Sequence, residues 1–349
     1  TDPVQKAVEI NGLGAALIID TPGLDDITSL GKERMARTAR MLDKTDIAVV
    51  LFTDAGTDTE LKLLEELRVR EIPAIVALTQ SDRIADSEAL AKHINILTNK
   101  EVIRLSATTG EGIEALREAI VRCRPSDERL ITEGFCKAGD IVMLVMPQDA
   151  SAPKGRLIQP QVQTIRELLD RGCIPICTTP DSMAEALAGL KEAPALIITD
   201  SQAFEAAYRQ KPEASTLTSF SILFARYKGD IKLFTEGVKA LGRLTPTSRI
   251  LIAEACSHTP QNEDIGRVKL PRILRKKFGE ELHIDIVGGN DYPEDLTQYD
   301  LVIHCGACMF NRKHVLSRVE RARSQGVAIT NYGVILAALT GILDRVRVD

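Results

Sequence analysis

Two short stretches of the chain carry metal-binding residue types at telling spacing. Cys256-Ser257-His258 is a Cys-x-His pair, and after 45 intervening residues His304-Cys305-Gly306-Ala307-Cys308 is a His-Cys-x-x-Cys pair. Thiolates favour zinc or iron–sulfur clusters. A Cys-x-x-Cys alone fits a redox dithiol equally well, but both pairs in one section read as a metal site. Two His and three Cys exceed the four ligands of tetrahedral zinc. Three Cys suit a 4Fe-4S cluster with one iron open, which leaves His258 and His304 as outer-shell donors or a replaceable ligand. His93, His283 and His314 have no such company and are expected to be structural or at the surface. Cys123, Cys136, Cys173 and Cys177 lack partners at ligand spacing and are expected to be structural thiols.

A second set of residues points to a nucleotide. Asp20-Thr21-Pro22-Gly23 follows an apolar run directly. In P-loop GTPases such an Asp holds Mg²⁺ through a water, and the Gly N–H reaches the γ-phosphate. Thr79-Gln80-Ser81-Asp82 ends another apolar run, where GTPases place Asn-Lys-x-Asp to read guanine. Asp82 matches that pattern, while Thr79 and Gln80 depart from it. Ser106-Ala107-Thr108 resembles the Ser-Ala motif whose backbone meets the guanine oxygen. Order and spacing resemble the Era/TrmE-like branch of small GTPases. No Gly-x-x-x-x-Gly-Lys-Ser/Thr occurs in the chain. With only 19 residues before Asp20, the P-loop, its strand and its helix are expected to lie upstream of Thr1.

Three consecutive α/β sections position these residues. In the first, strands are expected at 15–19, 47–52, 74–78 and 102–105, with helices at 32–42, 60–70, 87–98 and 113–121. In the second, strands at 140–145, 174–178 and 195–199 alternate with helices at 159–170, 182–190 and 230–241, and 217–224 is a further apolar stretch. In the third, strands at 249–253, 283–287, 301–304 and 328–332 alternate with helices at 271–278 and 313–325. Short apolar strands separated by helices imply parallel sheets covered on both faces. Every motif above falls at the carboxyl end of a strand, where such sheets bind ligands. Pro125–Glu128 is a polar break suited to a domain boundary.

Composition narrows the class. The chain has 349 residues, 44% hydrophobic and 27% charged, enough for two or three ordinary cores. A net charge of −5, 4% aromatics and no Trp disfavour a nucleic-acid binder. The absence of long apolar runs disfavours a membrane span. Seven Cys, an odd number, with no secretory signal point to a reducing cytoplasm.

A GTPase section followed by this metal motif resembles the FeFe-hydrogenase maturation GTPase (HydF) family. The stretches that carry the resemblance include Asp20–Asp26, Ala152–Ile158, Ile197–Gln202, Glu263–Lys269, Ile303–Gly306 and Thr330–Val334. The resemblance implies a GTP-binding domain at 1–124, a dimerisation domain at 125–245 and an iron–sulfur domain at 246–349. It implies GTP and Mg²⁺ at Asp20, Gly23, Thr79, Asp82, Ser106 and Ala107, and a 4Fe-4S cluster on Cys256, Cys305 and Cys308. It also implies a homodimeric scaffold that receives a diiron precursor built with radical-SAM maturases and delivers it to apo FeFe-hydrogenase. Two other readings stay open on the residues alone. One is a zinc hydrolase with Glu254 or Glu263 as general base; the other is a regulatory GTPase whose metal is structural.

Overall fold

The computed structural model describes residues 4–21, 41–42, 44–54, 58–124, 129–148, 155, 157–255, 264–289, 291–307 and 310–349. The chain divides into two compact units, Thr1–Asp127 and Glu128–Asp349.

The first unit opens with an antiparallel hairpin of β1 (Val4–Ile10) and β2 (Gly14–Asp20), in register from Val4 opposite Asp20 to Ile10 opposite Gly14. The connecting turn uses Gly12 and Gly14 at φ of +88° and +93°, which glycine adopts without a Cβ penalty. No strand is expected from the sequence at Val4–Ile10, where polar and apolar residues alternate for much of the stretch. That alternation is the signature of a half-exposed antiparallel strand. A parallel sheet follows in the order β3 (Ala48–Phe52), β4 (Ala74–Leu78), β5 (Val102–Arg104). Helices α1 (Asp58–Val69), α2 (Ser87–Thr98) and α3 (Ile113–Arg122) connect and follow its strands. Phe52, Leu67, Val76, Leu78 and Ile94 form its core. The helix expected at 32–42 lies almost wholly outside the described residues.

The second unit contains two four-stranded parallel sheets. One runs β7 (Ile174–Thr178), β6 (Ile141–Val145), β8 (Leu196–Thr199), β9 (Thr216–Ser219); the other runs β11 (His283–Val287), β10 (Arg249–Ala253), β12 (Leu301–His304), β13 (Ala328–Asn331). The order is the same in both. The chain steps outward from the first strand to one side, then returns to lay the next two on the other side. The helices of this unit are α4 (Gln159–Asp170), α5 (Met183–Ala188), α6 (Phe204–Gln210), α7 (Phe220–Lys228), α8 (Ile231–Val238), α9 (Leu270–Phe278), α10 (Arg312–Ser324) and α11 (Tyr332–Leu339). Each sheet's last strand runs straight into a capped helix. Ser219 Oγ accepts from Ile222 N at 3.2 Å to start α7, and Asn331 Oδ1 accepts from Gly333 N at 2.8 Å to start α11.

Parallel strands must be buried on both faces, and here the two sheets share the cover. One continuous apolar cluster includes Met143, Val145, Ile197 and Leu217 from one sheet and Leu251, Ala253, Val302 and Ile329 from the other. Helix α11 meets α7 so closely that a Cβ on Gly333 would lie 2.5 Å from Ser221 Cβ. Helix α8, expected with the middle section, packs instead on the second sheet. Thr330 Oγ1 donates to Phe234 O at 2.9 Å, and a Cβ on Gly237 would sit 1.9 Å from Ile329 O. Among the described residues no helix is long and apolar enough to cross a membrane.

Gly237→Ala should therefore cost this unit on the order of 2–3 kcal/mol or more, because backbone must move to admit the methyl. Gly242→Ala, with nothing within 4 Å of its would-be Cβ, should change stability little. Urea-unfolding midpoints of the two variants measure the difference; equal midpoints would refute the packing of α8 on β13.

Candidate nucleotide loops and metal centre

In the first unit the structure brings four expected site residues to one end of the sheet. Backbone bonds stitch this rim together: Thr79 N to Phe52 O at 2.9 Å, Leu105 N to Leu78 O at 2.8 Å, and Ser81 N to Leu105 O at 2.9 Å. Gln80 takes the left-handed conformation at φ +57°, which turns the chain into the short helical turn Ser81–Arg83 bearing the exposed Asp82. Ser106 is fully buried; its Oγ accepts from Thr109 N at 3.1 Å and its carbonyl from Gly110 N at 2.9 Å. Ser81 Oγ donates to Glu111 Oε2 at 2.9 Å and ties the Thr79–Asp82 loop to the Ser106–Gly112 loop. Gly112 is needed there: its φ is +74°, and a Cβ would lie 1.8 Å from Arg104 O. The rim presents an exposed carboxylate beside an exposed backbone turn at Ala107. Such a pair can accept from the N–H edge of a purine and donate to its carbonyl. Asp20 ends β2 and is exposed; Gly23 lies outside the described residues.

In the second unit Cys305 leaves β12 at the topological switch point, where β10 and β12 lie side by side but the chain departs to opposite sides. Open α/β sheets form their ligand crevice at that place. The thiol of Cys305 accepts from Ala255 N at 3.0 Å and from Ala307 N at 3.4 Å. Ala307 holds φ +46°, an unusual value for a residue with a Cβ, and so aims its N–H back at the sulfur. Two N–H dipoles favour the thiolate and its use as a ligand. Cys256, His258 and Cys308 lie outside the described residues, as does Glu263.

His304 is fully buried and engaged at both ring nitrogens. Nδ1 lies 2.7 Å from Cys305 O, and Nε2 lies 3.4 Å from Arg318 Nη1. An arginine can only donate, so Nε2 accepts and Nδ1–H donates to the carbonyl. Burial, reinforced by the Arg318 charge, pushes this imidazole down to about 3. Through Nδ1 the ring braces the Cys305 backbone. Arg318 is itself buried; it donates to Glu254 O at 3.2 Å and to Gly289 O, and its guanidinium lies 4.8 Å from the Tyr292 ring centroid. Glu254, one of the expected general bases, is only 2% exposed, and its Oε2 accepts from Arg267 Nε at 2.9 Å. A carboxylate committed to that ion pair is poorly placed to take a proton from a metal-bound water.

Sequence reasoning missed Arg318. Its only signal is that it interrupts the buried face of α10, four residues after His314 and four before Ala322. It also missed that Cys136 and Cys173, read as isolated, lie with sulfurs 3.8 Å apart and both buried.

Comparison with known proteins places these features. Over 133 residues the chain is 27% identical to the GTPase Era of Pseudomonas fluorescens, and over 134 residues 28% identical to the GTPase Era of Pseudomonas aeruginosa; each match covers 36% of this chain and 44% of the relative. The chain thus spans less than half the length of the curated relatives it matches. This is a GTPase-related α/β protein. It matches the Hydrogen maturase F dimerization domain over residues 131–229 and the Hydrogen maturase F tetramerization domain over residues 232–347, and it belongs to that family. The two matches meet just before α8, in line with that helix's packing on the second sheet. The residues expected as an iron–sulfur domain are thus matched by a domain described for tetramerization.

The buried neutral His304 fixes a pH dependence. Its folded value lies below the ordinary 6.5, so between about pH 6.5 and 3 the unfolded chain binds a proton that the folded chain does not. Stability is therefore lost as pH falls through that window, by up to about 1.4 kcal/mol per pH unit. Urea midpoints from pH 7 to 4 should fall less steeply for His304→Gln than for the parent. Parallel curves would show that His304 keeps its ordinary affinity for a proton in the fold.

Proposed function

We propose that this chain is a GTP-binding 4Fe-4S scaffold that carries a diiron precursor to apo FeFe-hydrogenase. The observation that carries the reading is the Cys305 thiol at the switch point of the second sheet, held by two backbone N–H donors. Membership of the hydrogen maturase F family and the kinship with Era supply the context. Cys256, Cys305 and Cys308 would hold the cluster and leave one iron for an incoming ligand; the cluster supplies an exchangeable coordination site when bound. His304 orients the Cys305 loop, and His258 remains a candidate for the open position. Asp82 and the Ser106–Ala107 turn would read guanine. Asp20 and Gly23 would serve Mg²⁺ and the γ-phosphate, and hydrolysis would time exchange between radical-SAM maturases and the hydrogenase. The committed state of Glu254 weighs against the zinc-hydrolase reading. Anaerobic iron and sulfide analysis with EPR of the reduced protein tests the proposal. Cys305→Ser should lose most of the iron. One zinc without sulfide in the parent would replace the proposal by the zinc reading.

Self-association has a visible surface. Strand β7 is a sheet edge, and its first residue, Ile174, is 51% exposed. On α4, Val162 and Leu169 are 45% and 55% exposed, seven residues apart and so on one face. An unpaired apolar edge of this kind pairs readily with a second copy. Light scattering on the intact chain should show the assembly mass halved by Ile174→Lys with Leu169→Glu. An unchanged mass would move the interface elsewhere.

A further inference from the structure

Helix α7 ends beside the turn that carries the metal-site cysteines, and the two exchange hydrogen bonds in both directions. Lys228, the last residue of α7, is 7% exposed. Its Nζ donates to Ala307 O at 3.0 Å and to Phe310 O at 2.8 Å, the carbonyls one residue before and two residues after Cys308. The ammonium lies 5.3 Å from the Phe224 ring centroid, so the helix itself fixes its direction. In return Arg312, at the start of α10, donates to Tyr227 O at 3.2 Å and to Gly229 O at 3.0 Å. Those carbonyls belong to the end of α7, where helix carbonyls lack intrahelical partners and a cation is favoured.

We propose that Lys228 and Arg312 form a reciprocal clamp that fixes the backbone at Ala307 and Phe310, on either side of Cys308 in the sequence, and fastens it to the dimerization domain. Residues 131–229 match that domain and residues 232–347 the other, so the clamp spans the two. Lys228 pins two carbonyls of the turn at once, on either side of Cys308. This keeps Ala307 in the positive-φ conformation that points its N–H at Cys305. Lys228 and Arg312 are positioning residues: they act on the turn, and the thiols act on the metal. Charge and geometry are both required. A methionine fills the volume of Lys228 but donates nothing, while arginine retains charge and donors.

The role toward a cluster rests on the function proposed above; the clamp itself does not. The experiment separates them. In the intact apo protein under anaerobic conditions, alkylation of Cys305 and Cys308 by iodoacetamide is followed by peptide mass spectrometry, with the exposed Cys177 as internal reference. Lys228→Met and Arg312→Gln should each speed alkylation of both cysteines severalfold relative to Cys177, and Lys228→Arg should restore the parent rate. Rates unchanged in both variants would overturn the clamp. After reconstitution with iron and sulfide, the same two variants should lose iron to a chelator severalfold faster than the parent, with altered EPR. Faster alkylation with parental iron retention and EPR would overturn the clamp's role in holding the metal. A parent chain that takes up no iron or sulfide, yet shows the alkylation effect, would refute the cluster reading and leave the clamp standing.

Discussion

A parallel four-stranded sheet has no face that water can wet without cost, and the second unit is built around that constraint. Each of its sheets has two apolar faces, and one face of each is closed by the elements of the other. The cluster running from Met143 and Ile197 through to Leu251 and Ile329 is a single core. Its depth explains the close approach of Gly333 to Ser221, where any side chain would hold α11 off α7. It also explains why α8 ignores the order of the chain and lies on β13: the uncovered face of that sheet is the nearest apolar surface. Once both faces are closed, only the strand ends are left for chemistry, and the shared strand order fixes which ends diverge.

The polar groups at those ends follow from the same burial. The backbone of the Glu254 and Gly289 turns reaches a depth where carbonyls cannot meet water, and an unpaired carbonyl there costs free energy. Arg318 satisfies both turns and the His304 ring with one planar donor set. Its own charge is then buried, which is costly unless an anion is near. Burial lowers the guanidinium's hold on its proton, and the neighbouring Cys305 sulfur works against that. The two N–H donors on that sulfur act in the same direction. The guanidinium, the imidazole and the backbone donors on the sulfur thus form one connected polar group at the strand ends.

Much of the architecture was legible in the sequence because parallel strands are short, continuous apolar runs. Ile141–Val145, Leu196–Thr199, Arg249–Ala253 and Leu301–His304 lie within a residue or so of where their apolar content put them. The first hairpin was not legible by the same test, since Val4–Ile10 alternates and one face is wet. The cysteine motif announced a site, and spacing alone could say no more about His304. Its role depends on Arg318, 14 residues away on a helix, and tautomer assignment needs both partners. Lys228 was illegible for a related reason. A lysine at a helix C-terminus is usually a surface residue favoured by the helix dipole, and only the packing of α10 against α7 turns it inward. The Cys136–Cys173 contact joins residues 37 apart, with no local pattern to suggest it.

The two sheets also make an internal comparison. Register aligns Val145, Thr199 and Ser219 across the first sheet as it aligns Ala253, His304 and Asn331 across the second. The residue after the middle position of each trio is Asp200 in one sheet and Cys305 in the other. Ser219 and Asn331 both cap the following helix. The frames are alike, but the switch points differ in chemistry. Around Asp200 the described groups include the Gln161 amide, whose Nε2 donates to Asp200 Oδ2 at 3.5 Å, and three hydroxyls, with Ser201 Oγ at 3.3 Å from Ser219 Oγ and 3.1 Å from Ser221 Oγ. Around Cys305 a thiol, a neutral imidazole and a buried arginine leave the sulfur as the group facing outward demand. The same backbone frame therefore carries a carboxylate and hydroxyls at one switch point and a thiol at the other. The difference lies in which side chains the strand ends carry, not in the fold.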